Sequence, residues 1–199
     1  MIVEYHRPQT IEAALELLGR PEPLTLPLGG GTVLNRPSSL QFAAVDLQGL
    51  GLNTLNRRGN YLDVGAGVSL QTLSEVPELP MALSRAIRGE ATYNLRQVAT
   101  VAGSLVAAGG RSTFTTAMLA LDATLLVALG DETLELGSLL PLRPGRLTGR
   151  LITRVTLPLN VRLAYEIVAR TPDDLPIVCV AAAAWHSGRT RVVLGGFGA

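Results

Sequence analysis

The sequence predicts a mixed α/β chain with two glycine-rich turns, and three observations predict it. Up to Pro158, apolar runs of strand length alternate with amphipathic stretches of helix length. Two of the runs lead straight into glycine-bearing turns, Gly29-Gly30-Gly31-Thr32 and Thr100-Val101-Ala102-Gly103-Ser104. Beyond Pro158 the pattern changes to strands with little helix. With 199 residues, 47% of them hydrophobic and only 17% charged, the chain can bury a sizeable core and is not disordered. Aromatics are 4% of the residues, so that core must be aliphatic.

The elements are taken in chain order. After an opening strand, Ile11, Ala14, Leu15 and Leu18 fall on one helical face, with Thr10 as N-cap and Gly19 as stop. Leu24 to Leu28 and Ala43 to Leu47 are short strands on either side of the first glycine turn, completing a small βαβ unit. Tyr61 to Ala66 alternates like a strand, and Ser69 can cap a helix from Leu70 to Glu75. A helix from Pro80 to Ile87 has proline in its first turn. Beyond the second glycine turn, Thr113 to Leu121 has an apolar helical face, and Ala123 to Ala128 reads as a buried strand turned by Gly130-Asp131. Leu151 to Leu157 is a strand ended by Pro158, and Ala164 to Val168, Ile177 to Trp185 and Thr190 to Leu194 are three more. The composition shift near Pro158 is the best candidate boundary, and no internal repeat is visible.

Composition removes several chemistries. The 17 basic residues are all arginine and balance 16 acids to a net +1, which argues against nucleic acid as partner. Without lysine there is no Schiff base and no phosphate-cradling lysine. The single cysteine, Cys179, lies in an apolar run and reads as a core residue. One cysteine allows no disulfide framework, Cys-ligated zinc or iron–sulfur cluster. No signal peptide opens the chain, and despite a mean hydropathy of +0.32 no apolar run reaches the roughly 18 residues of a membrane span. A soluble, cytoplasmic protein is expected.

Successive glycines let backbone N–H groups converge on one anion, each bond to a charged oxygen being worth about 1.5–3 kcal/mol. Two such turns could hold a diphosphate without a lysine; ordinary tight turns are the plain alternative. The glycines lack the spacing of a dinucleotide fingerprint or a P-loop, and the Gly-x-Ser-x-Gly elbow of hydrolases is absent. His6 and His186 stand near opposite ends without acidic neighbours at metal spacing and read as surface or structural residues. Asp173-Asp174 reads as a solvated turn. With no nucleophile–base pair, any reaction would rest on an organic cofactor.

These turns and the segments after them resemble the FAD-binding (medium) subunit of the carbon monoxide dehydrogenase/xanthine dehydrogenase type of molybdenum hydroxylase. Pro27-Leu28-Gly29-Gly30-Gly31-Thr32-Val33-Leu34 is similar to the family's Leu-Ala-Gly-Gly-Thr-Asp-Leu pattern. Leu95 to Leu105 is similar to Ile-Arg-Asn-x-Ala-Thr-Ile-Gly-Gly-Asn-Ile, and Leu119 to Ala123 also recurs in the family. Leu151 to Pro158 resembles the Glu-Leu-Ile-x-x-Val-x-Leu-Pro strand, and Ala164 to Glu166 and Arg170 to Val178 resemble the family's next segment.

The resemblance, which spans essentially the whole chain, implies an α+β, two-part FAD-binding module. Its parts would be a βαβ subdomain over 1–55 with the first turn, a larger α/β subdomain over 56–158 with the second, and a β-rich tail over 159–199. FAD would lie with its diphosphate between the turns. Pro27, Leu28, Gly29, Gly30, Gly31, Thr32, Val33 and Leu34 would form one side, and Thr100, Val101, Ala102, Gly103 and Ser104 the other. Thr113 would stand where the family carries a cofactor-contacting Asp, and Ile152 would pack near the flavin. The implied role is that of an oxidoreductase component, a flavoprotein subunit without catalytic side chains or metal. It would take electrons from an iron–sulfur partner fed by a molybdopterin subunit and pass them to NAD, quinone or oxygen.

Departures from the pattern are Ala102 for a glycine, Ser104 for Asn, Val33 for a polar residue and Ile167 for a lysine. Arg111, in the second loop, is expected to offset part of that loss. The family continues into a further small C-terminal α/β domain, whereas this chain ends at Ala199. The last strands are therefore expected to start a truncated domain whose unpaired edge a partner chain or self-association would cover. A flavin-free relative acting as a structural or assembly subunit is the alternative, and an unrelated small-ligand domain a third.

Overall fold

The computed structural model describes residues 1–128, 130, 132–171 and 174–197, with Pro144 described by its backbone alone. The chain opens with β1 (Ile2–His6), α1 (Ile11–Gly19), β2 (Thr25–Leu28) and β3 (Phe42–Asp46). The strands form a parallel sheet in the order β1-β3-β2. β3 is central and buried at every residue, which is why it reads as an uninterrupted apolar run ending in one acid. Thr10 caps α1 by accepting the Ala13 amide at 3.2 Å, and Ala14 and Leu18 face the core. Asp46, 3% exposed, accepts from the Tyr5 hydroxyl and from the Gln48 amide at 2.9 Å, with Arg7 at 3.6 Å. It thereby caps a 3₁₀ turn over Leu47–Leu50.

Next come β4 (Leu55–Arg58), β5 (Tyr61–Gly65) and the helices α2 (Leu70–Ser74), α3 (Met81–Glu90), α4 (Tyr93–Val98), α5 (Val101–Ala107) and α6 (Thr113–Ala120). They are followed by β6 (Thr124–Val127), β7 (Glu132–Glu135), the single turns α7 (Leu136–Leu139) and α8 (Arg143–Arg146), and β8 (Ile152–Pro158). The strands make a five-stranded antiparallel sheet in the order β4-β5-β8-β6-β7. Asp63 of β5 is buried in it, bonded to Arg58 and accepting from the Thr156 hydroxyl at 2.6 Å, with Arg154 at 3.9 Å. Burial pushes its carboxyl up, but these partners outweigh burial and hold it below the ordinary aspartate value.

The last sheet is antiparallel: β9 (Val161–Val168), β10 (Val178–Trp185) and β11 (Thr190–Gly196), in the order β11-β10-β9. Helix α6 packs on its inner face, where Tyr165, Cys179, Ala181 and Ala183 are buried. Cys179 lies 3.4 Å from the Thr116 hydroxyl in the core, as its apolar run predicts. Desolvation raises the pKa of the Tyr165 phenol. The outer face leaves Val178, Val192 and Leu194 exposed. Glu90 ends α3 and caps α6, accepting from the Phe114 amide and the Ser112 hydroxyl, each at 2.9 Å.

Several local expectations need revision. Pro80 is the N-cap of α3 rather than a member of its first turn. The segment from Val101 to Ala107, expected to begin as a glycine turn, is helix α5, because the Thr100 hydroxyl supplies an N-cap that overrides the glycine. His186 is exposed in the turn after β10, and His6 sits on β1 with its Nε2 2.9 Å from Glu4. Asp174 is exposed, while Asp131 and Asp173 lie outside the described residues.

Candidate functional site

A cavity of about 480 Å³ opens where the carboxyl ends of β2 and β3 meet the start of α5 and of β8. The carboxyl ends of parallel strands are a general location for ligands in open α/β sheets. Its floor is the loop after β2. A Cβ on Gly30 would lie 1.6 Å from the Val98 carbonyl oxygen, so only glycine lets this loop pass the end of α4. A Cβ on Gly29 would lie 2.8 Å from the Thr100 side-chain hydroxyl. Gly31 has φ +70°, a left-handed backbone that favours glycine. The Asn35 amide closes the turn on the Gly31 carbonyl at 2.9 Å. From Gly29 to Leu34, no backbone amide donates to an acceptor among the described residues.

The second turn is built differently. The Val101 amide donates to the Val68 carbonyl at 2.8 Å and the Ala102 amide to Ala66 at 3.3 Å. The Gly103 amide donates to the Thr100 hydroxyl at 3.2 Å, and Ser104 to the Thr100 carbonyl at 2.9 Å. The expected second nest of free amides is therefore absent, because the helix N-terminus and β5's continuation consume its donors. What remains on this side is the Thr100 hydroxyl, whose own proton has no acceptor among the described residues.

Of the residues expected at the site, Pro27, Gly29, Gly30, Gly31, Thr32, Val33 and Leu34 line the cavity from one side. Thr100, Ala102, Gly103 and Ile152 line it from the other. Leu28, Val101, Ser104 and Thr113 do not. Leu28, the last residue of β2, is partly buried and is not part of the lining. Val101 is fully buried, and Ser104 is carried off the wall by the helical turn. Thr113 is 1% exposed between α3 and α6, its hydroxyl donating to the Ala86 carbonyl at 2.7 Å. Arg111 is also engaged elsewhere: it donates to the carbonyls of Pro176, at 2.7 Å, and Leu175, at 2.5 Å, and its guanidinium stacks 4.3 Å from the Phe197 ring. It offsets nothing at the cavity.

Sequence reasoning missed the third wall, formed by Arg143, Leu147, Thr148 and Arg150 of the connection between β7 and β8, with Leu47 and Val106 beside it. The run from Leu136 to Tyr165 contains three arginines before β8 and no acid, which was the available signal. Arg150 and Arg146 reach Glu132 at 2.6 and 3.3 Å. The Arg150 hydrogen bond holds the Glu132 carboxyl below its ordinary value, so this tie stays ionised. Among the described residues no carboxylate lines the cavity, no three His, Cys, Asp or Glu side chains are grouped to hold a metal, and no helix is long and apolar enough to cross a membrane.

Unused amides, a hydroxyl, arginine and apolar walls together fit a ligand that joins an anion to a large apolar body, as a flavin dinucleotide does. Comparison with known proteins agrees. The chain is 29% identical to the uncharacterized protein YgfM of Escherichia coli K12, covering 98% of this chain and 75% of that protein. In structure it is similar to a Cu,Mo-CO dehydrogenase chain, with TM-score 0.81, 19% identity and 98% and 75% of the two chains covered. It is similar as well to quinoline 2-oxidoreductase from Pseudomonas putida 86, with TM-score 0.79, 22% identity and coverage of 96% and 73%. Residues 1–160 match the family described as the FAD binding domain in molybdopterin dehydrogenase, and the chain belongs to that FAD-binding family, with its α+β fold.

Proposed function

We propose that this chain holds FAD in the cavity between the Gly29–Leu34 loop and α5. There it would serve as the electron-transfer component of a molybdenum hydroxylase-type oxidoreductase, receiving electrons from an iron–sulfur subunit and yielding them to an external acceptor. The observation that carries this reading is the unbroken row of unpartnered amides from Gly29 to Leu34, beside a cavity without a carboxylate. These amides sit on a partly exposed loop with no acceptor among the described residues, and a diphosphate would take bonds from several at once. Bound FAD would supply the redox chemistry.

The chain's own residues bind and shield. The amides of Gly30, Gly31 and Thr32 would take phosphate oxygens, and the Thr100 hydroxyl would donate from the opposite side. Leu47, Val106 and Ile152 would exclude water around the ring system. Among the described residues the ionisable side chains lining the cavity are Arg143 and Arg150, which bind anions rather than transfer protons. The molybdopterin subunit expected upstream would set the oxidised substrate, and the exposed Val178, Val192 and Leu194 strip is a surface we would expect such an assembly to cover.

Titration of the purified full chain with FAD, followed by flavin fluorescence and absorbance, tests the reading. We expect saturable binding in the micromolar range or tighter; free flavin throughout would overturn it. The consumed amides of Val101 to Ser104 favour a second reading, a flavin-free structural subunit, and that null titration is the result it requires.

A further inference from the structure

We infer that Arg143 is the counter-charge for the diphosphate of the dinucleotide, taking the part that the second glycine turn has lost. This rests on the FAD reading of the cavity and goes beyond it by naming a side chain. Two arginines line the cavity, Arg143 and Arg150. Arg150 is committed to Glu132 at 2.6 Å, and Arg146, one turn on from Arg143, shares that carboxylate. The Arg143 guanidinium has no acceptor among the described residues, although it is only partly exposed and borders Val106, Leu147 and Ile152. A half-buried cation without a partner is unfavourable on its own, and a ligand that brings negative charge relieves it.

The charge balance points the same way. A diphosphate carries two negative charges into a cavity with apolar walls, where each needs hydrogen bonds or an opposite charge. The loop after β2 offers amides from one side. On the other side Val101, Ala102, Gly103 and Ser104 have spent theirs within the fold, leaving the Thr100 hydroxyl. With no lysine in the chain and Arg111 tied to the carbonyls of Leu175 and Pro176, Arg143 is the cation available at this wall. Guanidinium also suits phosphate geometrically, since its planar donors can bridge two oxygens.

The test uses the full chain and three probes: FAD, FMN and riboflavin, the last without phosphate. For Arg143→Gln we expect the Kd for FAD to rise about tenfold or more, the loss of one charge-assisted bond. Riboflavin affinity should be unchanged and FMN intermediate. The wild-type Kd for FAD should also rise with added NaCl, and this dependence should flatten in Arg143→Gln and persist in Arg143→Lys. Equal FAD affinity in the wild type and Arg143→Gln, or equal losses for FAD and riboflavin, overturns the assignment while leaving the FAD reading intact. Absence of FAD binding by the wild type overturns both. Should Arg143→Gln not fold, the wild type still decides: salt sensitivity for FAD but not riboflavin supports the assignment, and insensitivity for both overturns it.

Discussion

The two glycine turns face each other across one cavity and look alike in the sequence, yet they do opposite things with their backbone amides. After β2, the chain leaves the sheet and curls without satisfying itself, so the amides from Gly29 to Leu34 remain available. After Thr100, the chain enters a helix at once, and the amides of Val101 to Ser104 go to Val68, Ala66 and Thr100. A glycine-rich turn is thus a donor array only when nothing nearby competes for the donors. A good N-cap residue just before it is such a competitor. Glycine also serves two different ends within the first turn. At Gly30 it permits the close approach of two backbones, and at Gly31 it permits a left-handed φ.

The largest expected effect breaks the comparison at its contact point. Gly30→Ala sets a methyl 1.6 Å from the Val98 carbonyl, so the loop must withdraw from α4. Overpacking against backbone should cost about 3 kcal/mol, visible as a lower Tm, together with loss of FAD binding. A variant with wild-type Tm and FAD affinity would show that the loop and the end of α4 do not meet at Gly30.

Thr100→Ala probes the other side with a smaller change. It removes the N-cap acceptor of the Gly103 amide and should cost about 1 kcal/mol of stability. It should also weaken FAD binding only a few-fold, because one hydroxyl is all that the second turn itself still offers among the described residues. A loss as complete as that of Gly30→Ala would mean that the two turns contribute equally, against their asymmetry in donors.

The smallest effect separates the turns by pH. Nothing from Gly29 to Leu34 titrates, whereas the second turn hangs from the residues just after β5, the strand that carries Asp63. The Asp63 pKa is lowered in the folded state, so its ion pairs stabilise the fold above the unfolded aspartate value of about 4. That stability is lost as pH falls through the lowered folded value. Melting from pH 6 down to pH 3 should show Tm dropping in the acid range, and Asp63→Asn should flatten the curve by removing this titration.

Much of the frame was legible because its signals are local. Thr10 and Ser69 each specify their own helix through capping, and Tyr61 to Gly65 reads as a strand from its run of residues, four of which the fold buries in a row. The fully buried β3 and the largely buried α6 read correctly for the same reason. At the cavity, the residues after β2 were legible because a glycine run marks a departure from the sheet. Ser104 and Thr113 were misplaced because motif position says nothing of helical phase: one rotates off the wall, and the other finds Ala86 and Glu90 in the core. Arg143 was signalled only by the acid-free run of arginines around it, since its place depends on Glu132 pairing with its two neighbours and leaving it out.

The joint at Gly30 and Val98 has a further consequence. It is main chain against main chain, so the loop after β2 seats against the end of α4 without using any side chain that lines the cavity. Substitutions at Leu47, Val106, Leu147 or Ile152 can then reshape the chamber while its frame stays fixed. Such a scaffold can drift in what it prefers to hold without having to be rebuilt.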